Sequence, residues 1–269
     1  MKRFISFFSA LLVMLCVTNV SAQEFEYARA PRFKALFYYS MNVELAHQQF
    51  AQGTLDFFKG LTVGDGWTME STQNLADYPY ERLKEFDIVV FINDAPTDPK
   101  VRADFQKYME NGGGWLGFHA AAYNDTRTNW PWYNEFLGCG KFLCNQWPPQ
   151  PALLTVETTV HPVTKNLPVE FVSAPSEFYM WQENPRDKDN VEVLVSISPK
   201  NYPFGIKDVV YSGDFPIAWT NKNFRMLYIN WGHGDDEYME STQNLMAVNA
   251  FRWILSRSPK GNPFAKYTK

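Results

Sequence analysis

A glycine turn followed by a short apolar run that ends on a histidine is the feature that most constrains the fold of this chain. Gly112, Gly113 and Gly114 precede the apolar run 115–118, and His119 follows it. Because the run is apolar on both faces, it is typical of a central parallel strand that helices cover on each side. Open α/β sheets bind ligands at the carboxyl ends of such strands, so His119 is a candidate site residue. The alternative is a core histidine satisfied by a backbone carbonyl.

Strand patterns alternate with helical patterns along most of the chain. Strands are predicted at 33–39, 67–71, 88–92, 115–118, 152–158, 191–197, 216–220 and 225–231, and helices at 43–59, 80–85, 99–109 and 242–256. Pro99 and Gly112 mark the start and stop of the third helix. The alternation predicts the α/β class, with a doubly wound, mostly parallel, flavodoxin-like sheet in a single domain. The irregular, aromatic-rich segment 129–151 is predicted to be an elaborated loop region.

The first residues have the composition of a secretory signal. Lys2 and Arg3 precede an apolar segment, 4–17, and small residues follow at 20–22. This order predicts a signal peptide over 1–22, a mature domain over 23–269, and a periplasmic or secreted location. The apolar segment is short for a membrane span. The residues before Cys16 are not those of a lipid-attachment site, which argues against a lipoprotein.

Charge and missing motifs exclude several functions. The formal net charge is −4, so no basic field is available for nucleic acid. No Gly-x-Gly-x-x-Gly pattern follows the first predicted strand, and the chain has no Walker or Gly-x-Ser-x-Gly pattern. We therefore expect neither a bound nucleotide nor serine hydrolase chemistry. Cys139 and Cys144 are compatible with either a disulfide or two thiols.

Three histidines are predicted to lie in connections from strands to helices. His47, His119 and His233 could converge, because such connections share one edge of a doubly wound sheet. With a carboxylate from Glu177 or Asp94 they could bind a divalent metal ion. The same side chains could instead act as general acids and bases.

Aromatic residues neighbour Glu177 in the sequence. Glu177 precedes an aromatic segment that contains Tyr179 and Trp181, whose rings could stack on a sugar. Partial desolvation there would raise the pKa of Glu177. The acidic run 235–237 is interpreted as a solvated loop.

Several segments together resemble the ThuA-like (trehalose utilisation) family, whose fold is similar to that of class I glutamine amidotransferases. The matching segments are GGGWLGFHAA at 112–121, HPVTKNLP at 161–168, EFY at 177–179, PIAW at 216–219 and YINWGH at 228–233. In the amidotransferases a nucleophilic cysteine occupies the turn at which this chain has His119, so the resemblance does not imply glutaminase activity. Relatives commonly have an Asp where this chain has Ser176, which leaves a paired-carboxylate role open.

The resemblance implies an enzyme that acts on a carbohydrate, including 3-keto glycosides, as a hydrolase, lyase or isomerase, and the predicted signal peptide makes it extracytoplasmic. The predicted catalytic residues are His119, His233 and Glu177; the predicted substrate-binding residues are Trp181, Tyr179, Asp94 and His47; the candidate metal ligands are His47, His119 and His233. Whether a divalent metal is bound is left open. The alternative is a non-catalytic module that binds a carbohydrate or a partner. Convergence of the three histidines would favour the enzyme.

Overall fold

The structure, a computed structural model, describes residues 33–65, 67–125, 127–201 and 213–263. The predicted signal peptide, 1–22, lies outside the described residues. None of the helices in the described part of the chain has both the length and the hydropathy that a transmembrane segment needs.

The described residues contain eleven strands and five α-helices, together with short 3-10 helices and loops. The strands are β1 Lys34–Tyr38, β2 Thr68–Thr72, β3 Ile88–Phe91, β4 Gly114–Phe118, β5 Phe142–Asn145, β6 Leu153–Val156, β7 Glu170–Val172, β8 Tyr179–Trp181, β9 Val191–Ile197, β10 Pro216–Asn221 and β11 Arg225–Ile229. The helices are α1 Leu45–Asp65, α2 Tyr80–Leu83, α3 Pro99–Glu110, α4 Pro131–Leu137 and α5 Ser241–Ser256.

Nine of the strands form one sheet in the order β2-β1-β3-β4-β11-β10-β9-β6-β7. Strands β2, β1, β3, β4 and β11 run parallel to one another. The remaining four strands extend the sheet in antiparallel fashion. Strands β5 and β8 pair separately as a two-stranded antiparallel sheet. The carboxyl ends of β1, β3, β4 and β11 therefore share one edge of the large sheet.

Apolar side chains fill both faces of the sheet. Strand β4 illustrates the alternation, since Leu116 and Phe118 belong to the core on one face and Trp115 to the core on the other. Helices α1 and α5 cover the first face, and helices α2, α3 and α4 cover the second. Asp98 caps α3 by accepting hydrogen bonds from the backbone of Lys100 and Val101, and Pro99 follows it.

The predicted α/β class and doubly wound sheet are confirmed, while several elements were missed. Strands β1 to β4, β9, β10 and β11 and helices α1, α3 and α5 lie within a few residues of their predicted positions. The segment predicted to be loops, 129–151, contains α4 and β5. The antiparallel direction of the last strands was also not predicted.

Candidate active site

The three histidines reach one place because they leave parallel strands at the same edge. His119 directly follows β4, His233 follows β11 after a short turn, and His47 lies in the first turn of α1 after β1. Backbone contacts tie these connections together. Gly234 N–H donates to the carbonyl of Ala46 at 3.2 Å. Asn93, after β3, donates to the carbonyl of His47 at 3.0 Å.

His47, His119, Glu177 and His233 form a compact group, which we call the His/Glu cluster. One ligand atom from each residue lies within 4.8 Å of the others. His47 Nε2 is 3.1 Å from His119 Nε2 and 3.3 Å from His233 Nδ1. Glu177 Oε2 is 3.2 Å from His233 Nδ1 and 3.5 Å from His119 Nε2. All four side chains are buried.

The surroundings favour the neutral form of His47 and His119 and the ionised form of Glu177. Burial, and then the neighbouring imidazoles, lower the pKa of His47 to about 3. Burial also lowers the pKa of His119, against the opposing effect of Glu177. Burial alone would raise the pKa of Glu177, but its hydrogen bonds to His119 and His233 outweigh that effect and lower the pKa to about 2. The aromatic neighbours predicted a raised pKa for this carboxyl group, and that prediction was wrong, because the hydrogen bonds to the two imidazoles outweigh desolvation.

A hydrogen bond to the backbone of Asn230 fixes the orientation of the His119 ring. His119 Nδ1 lies 3.0 Å from the carbonyl oxygen of Asn230. Since a carbonyl oxygen only accepts, Nδ1 carries the proton and Nε2 presents a lone pair to the cluster. The fully buried ring also packs on Tyr179 with a centroid distance of 4.0 Å. The alternative of a core histidine satisfied by a backbone carbonyl therefore describes Nδ1 of His119, whereas Nε2 faces the cluster.

The turn at His119 has an uncommon backbone conformation and packs closely against the turn at Gly232. His119 has a φ of +42°, which is uncommon outside glycine. Across from it, a Cβ atom added at Gly232 would lie 2.6 Å from His119 Cβ. Gly232 therefore permits the close approach of the two turns that deliver His119 and His233.

Glu177 is delivered by the small sheet. It precedes β8, and Asn145 at the end of β5 donates a hydrogen bond from Nδ2 to Glu177 Oε1. Asn230 holds the same segment, because its amide group bonds both the N–H and the carbonyl of Tyr179, at 3.0 and 2.8 Å. Asn230 thereby orients His119 with its carbonyl and the Glu177 segment with its side chain.

A second carboxylate supports the His233 turn. Glu237 Oε1 accepts from the backbone N–H groups of Gly232 at 2.9 Å and His233 at 3.1 Å. Gln243 donates to Glu237 Oε2 at 2.8 Å and accepts from Ala174 N–H at 2.6 Å. Burial raises the pKa of Glu237 to about 7 against these hydrogen bonds. The interpretation of 235–237 as a solvated loop was wrong for Glu237, whose side chain is buried.

The donor atoms of the His/Glu cluster fit a single divalent ion. Metal–nitrogen bonds of about 2.0–2.1 Å in a tetrahedral shell place neighbouring ligand atoms roughly 3.4 Å apart. Four of the six separations, 3.1 to 3.5 Å, bracket that value. His47 Nε2 and Glu177 Oε2 are farther apart, at 4.0 Å, and all four atoms lie within 4.8 Å of one another, so the group is wider than a regular tetrahedron. Imidazole nitrogens with one carboxylate suit zinc, iron, nickel and related ions. With four protein ligands, a five- or six-coordinate ion keeps one or two positions for substrate.

The other predicted substrate-binding residues are not members of the His/Glu cluster. The carboxylate of Asp94 accepts from Ala95 N–H and is not part of the cluster. The ring of Trp181 is 2% exposed and packs on Trp219 and Tyr228, so it offers no surface to a sugar. Tyr179 is also buried, and its role in the structure is to pack against His119.

Two functional candidates at the cluster escaped the sequence analysis. Glu44, just before α1, places Oε1 3.4 Å from His233 Nδ1 and 3.8 Å from His47 Nε2. Asn230 bonds the His119 ring through its carbonyl and Tyr179 of β8 through its side chain. Nothing in the sequence pattern distinguishes Glu44 from other surface glutamates. Asn230 could have been suspected, because it is a polar residue at the end of an apolar strand.

The two cysteines form no disulfide with each other in the structure. Burial raises the pKa of the Cys139 thiol well above its usual value, which disfavours the thiolate. We expect a C139S/C144S variant to retain activity within roughly tenfold of the parent at matched folding, since neither residue is in the cluster. The test is product formation under the same conditions. Complete loss of activity in a folded double variant would contradict a structural or incidental role.

A doubly wound sheet with three histidines and a glutamate at its carboxyl edge defines an α/β protein with a candidate metal centre. The family model for ThuA, described as trehalose utilisation, matches residues 34–254. The chain belongs to the ThuA family, which confirms the resemblance found in the sequence. Among the curated proteins compared, none matches this chain.

Solved structures agree with this membership. A crystal structure of a ThuA-like protein from Bacteroides uniformis is 57% identical, with a TM-score of 0.85, over 88% of this chain and 97% of that chain. A ThuA-like protein from Parabacteroides merdae is 17% identical, with a TM-score of 0.57, over 85% and 92% of the two chains. A cytoplasmic protein from Salmonella typhimurium is 14% identical, with a TM-score of 0.52, over 82% and 98%. The last two similarities concern the fold alone.

Proposed function

We propose that the His/Glu cluster binds one divalent metal ion and that the protein is an enzyme acting on a carbohydrate, with 3-keto glycosides as the substrate class. The observation that carries the proposal is the convergence of His47 Nε2, His119 Nε2, His233 Nδ1 and Glu177 Oε2 from four separate segments. Such convergence favours catalysis over a purely binding role. Family membership in trehalose utilisation supports a sugar as substrate.

The electrostatic potential of the cluster supports the binding of a cation. His119 Nε2 presents a lone pair to the cluster, and ring nitrogens of His47 and His233 lie close to it and to the ionised carboxylate of Glu177, which concentrates negative potential there. A divalent ion, when bound, supplies a Lewis acid that polarises a carbonyl or hydroxyl oxygen. Asn145 and Asn230 keep the ligands oriented from outside, as supporting residues of metal sites do.

The chemistry follows from the substrate class. A keto group at C3 acidifies the neighbouring C–H bond, and removal of that proton gives an enolate that expels the leaving group in an elimination or is reprotonated in an isomerisation. Hydration is the addition of water to the unsaturated ketone that the elimination produces. The sugar binds at the solvent side of the cluster, and the buried side chains beneath it exclude water. Without a metal ion, His119 and His233 would serve as acid and base beside Glu177, and the experiment separates the two versions.

Metal content and turnover measured on the same samples test the proposal. The mature protein is analysed for bound elements, then incubated with glycosides and their 3-keto forms, with and without a chelator. We expect about one divalent ion per chain, products from the keto forms, and loss of turnover on chelation that the ion restores. Turnover that survives complete metal removal supports the acid–base version. A protein with neither bound ion nor turnover contradicts both.

We also propose that the protein is exported, on the basis of the signal pattern at 1–22. The mature chain is expected to start near Gln23. Mass spectrometry of protein secreted by a host with a compatible export system measures that terminus. An N-terminus that retains Lys2 would rule out cleavage of the predicted signal.

A further inference from the structure

We propose that Glu44 and Trp147 form a pyranose-binding subsite at the solvent side of the His/Glu cluster. The indole stacks on the ring of the sugar, and the carboxylate accepts hydrogen bonds from its hydroxyl groups. This inference deepens the proposed function and rests on it, because it names the residues that hold the sugar beside the metal ligands.

Glu44 faces the cluster from outside. Its side chain is 53% exposed, whereas that of Glu177 is 10% exposed. Its carboxylate approaches His233 Nδ1 and His47 Nε2 but does not belong to the compact group of four ligands. The backbone beneath it is anchored, since its carbonyl accepts from Gln48 N–H at 3.1 Å. A carboxylate in this position can accept from a ligand above the cluster without being one of the four donors.

Trp147 flanks the same histidine. Its ring lies perpendicular to that of His233, with a centroid distance of 6.1 Å, and 65% of the residue is exposed. A tryptophan so exposed leaves most of a large apolar surface in water. The segment before it is anchored, because Gln146 N–H donates to the carbonyl of Phe178 at 2.9 Å. The platform is thus tied to the segment that carries Glu177.

A pyranose ring matches both features. It has an apolar C–H face that stacks on aromatic rings and a rim of hydroxyl groups that donate to carboxylates. An acyclic polyol has the same hydroxyl groups without the ring face. The combination of an exposed indole and a carboxylate against one ligand histidine therefore favours a cyclic sugar over a linear one.

Calorimetric titration of the metal-loaded mature protein tests the subsite without turnover. The probes are methyl α-D-glucopyranoside, trehalose and, as the acyclic control, sorbitol. We expect both glucosides to bind and sorbitol to bind at least tenfold more weakly. Trp147→Ala and Glu44→Ala should each weaken glucoside binding by roughly tenfold or more, while Trp147→Phe and Glu44→Gln recover part of the loss.

The control variant is Val160→Ala, which trims another highly exposed apolar side chain. It should bind like the parent, and all variants should keep their metal content and melting temperature. Absence of glucoside binding to the parent, equal binding of sorbitol, or unchanged binding in both alanine variants would overturn the proposal. Glucoside binding without turnover on keto forms would retain the subsite and reject the enzyme, so the two proposals fail separately.

Discussion

His119→Ala is expected to abolish stable metal binding and to lower turnover of a keto glycoside by roughly 10²–10⁴. The substitution removes the imidazole that faces His47 Nε2 at 3.1 Å and Glu177 Oε2 at 3.5 Å. It leaves the carbonyl of Asn230 without its ring N–H partner. Elemental analysis and product formation, measured on one preparation, follow both effects.

The matched control is His161→Ala. His161 lies outside the cluster, accepts from Val163 N–H through Nδ1 at 3.2 Å and packs against Trp253. Its loss should affect stability modestly and leave metal content unchanged. A folded His119→Ala protein with full metal content would refute His119 as a ligand. Loss of turnover without loss of metal would instead assign it an acid–base role.

Most of the parallel half of the fold was predictable, because β1, β3, β4 and β11 are apolar runs separated by glycine, proline and polar turns. Strand β4 illustrates this, since it is buried on both faces between Gly113 and His119. The same logic placed His119 and His233 at strand ends, which the topology then brings to one edge. Residues at strand ends are local features of the sequence, and the edge they share follows from parallel pairing.

The small sheet was not predictable by the same route. Strands β5 and β8 have four and three residues, too few to show a two-residue period. Their pairing nevertheless decides where Glu177 lies, through Asn145 and Asn230. The burial of Glu237 also depends on contacts with distant Gln243 and the 232–233 turn. A run of acidic residues gives no indication of which member turns inward.

Glu237→Gln is expected to lower the free energy of unfolding by about 1–3 kcal/mol. A glutamine can still accept from Gly232 and His233 N–H, but its amino group then faces the side-chain amide donor of Gln243. Gln243 cannot reverse its amide without losing the bond from Ala174 N–H. One donor is therefore left unpaired in a buried site. Chemical denaturation of the metal-free protein measures this cost.

Metal affinity reports whether Glu237 also positions His233. Because the carboxylate holds the backbone N–H of His233, Glu237→Gln should weaken metal binding by about 10–100-fold, the range typical of groups that orient metal ligands. Glu240→Gln is the matched control, since the side chain of Glu240 caps α5 by accepting from Thr242 N–H and lies outside the cluster. It should leave metal affinity unchanged and cost less than about 1 kcal/mol. Equal metal affinity in both variants would mean that the 232–233 turn keeps its shape without Glu237, and that the ligand geometry is set by the strands alone.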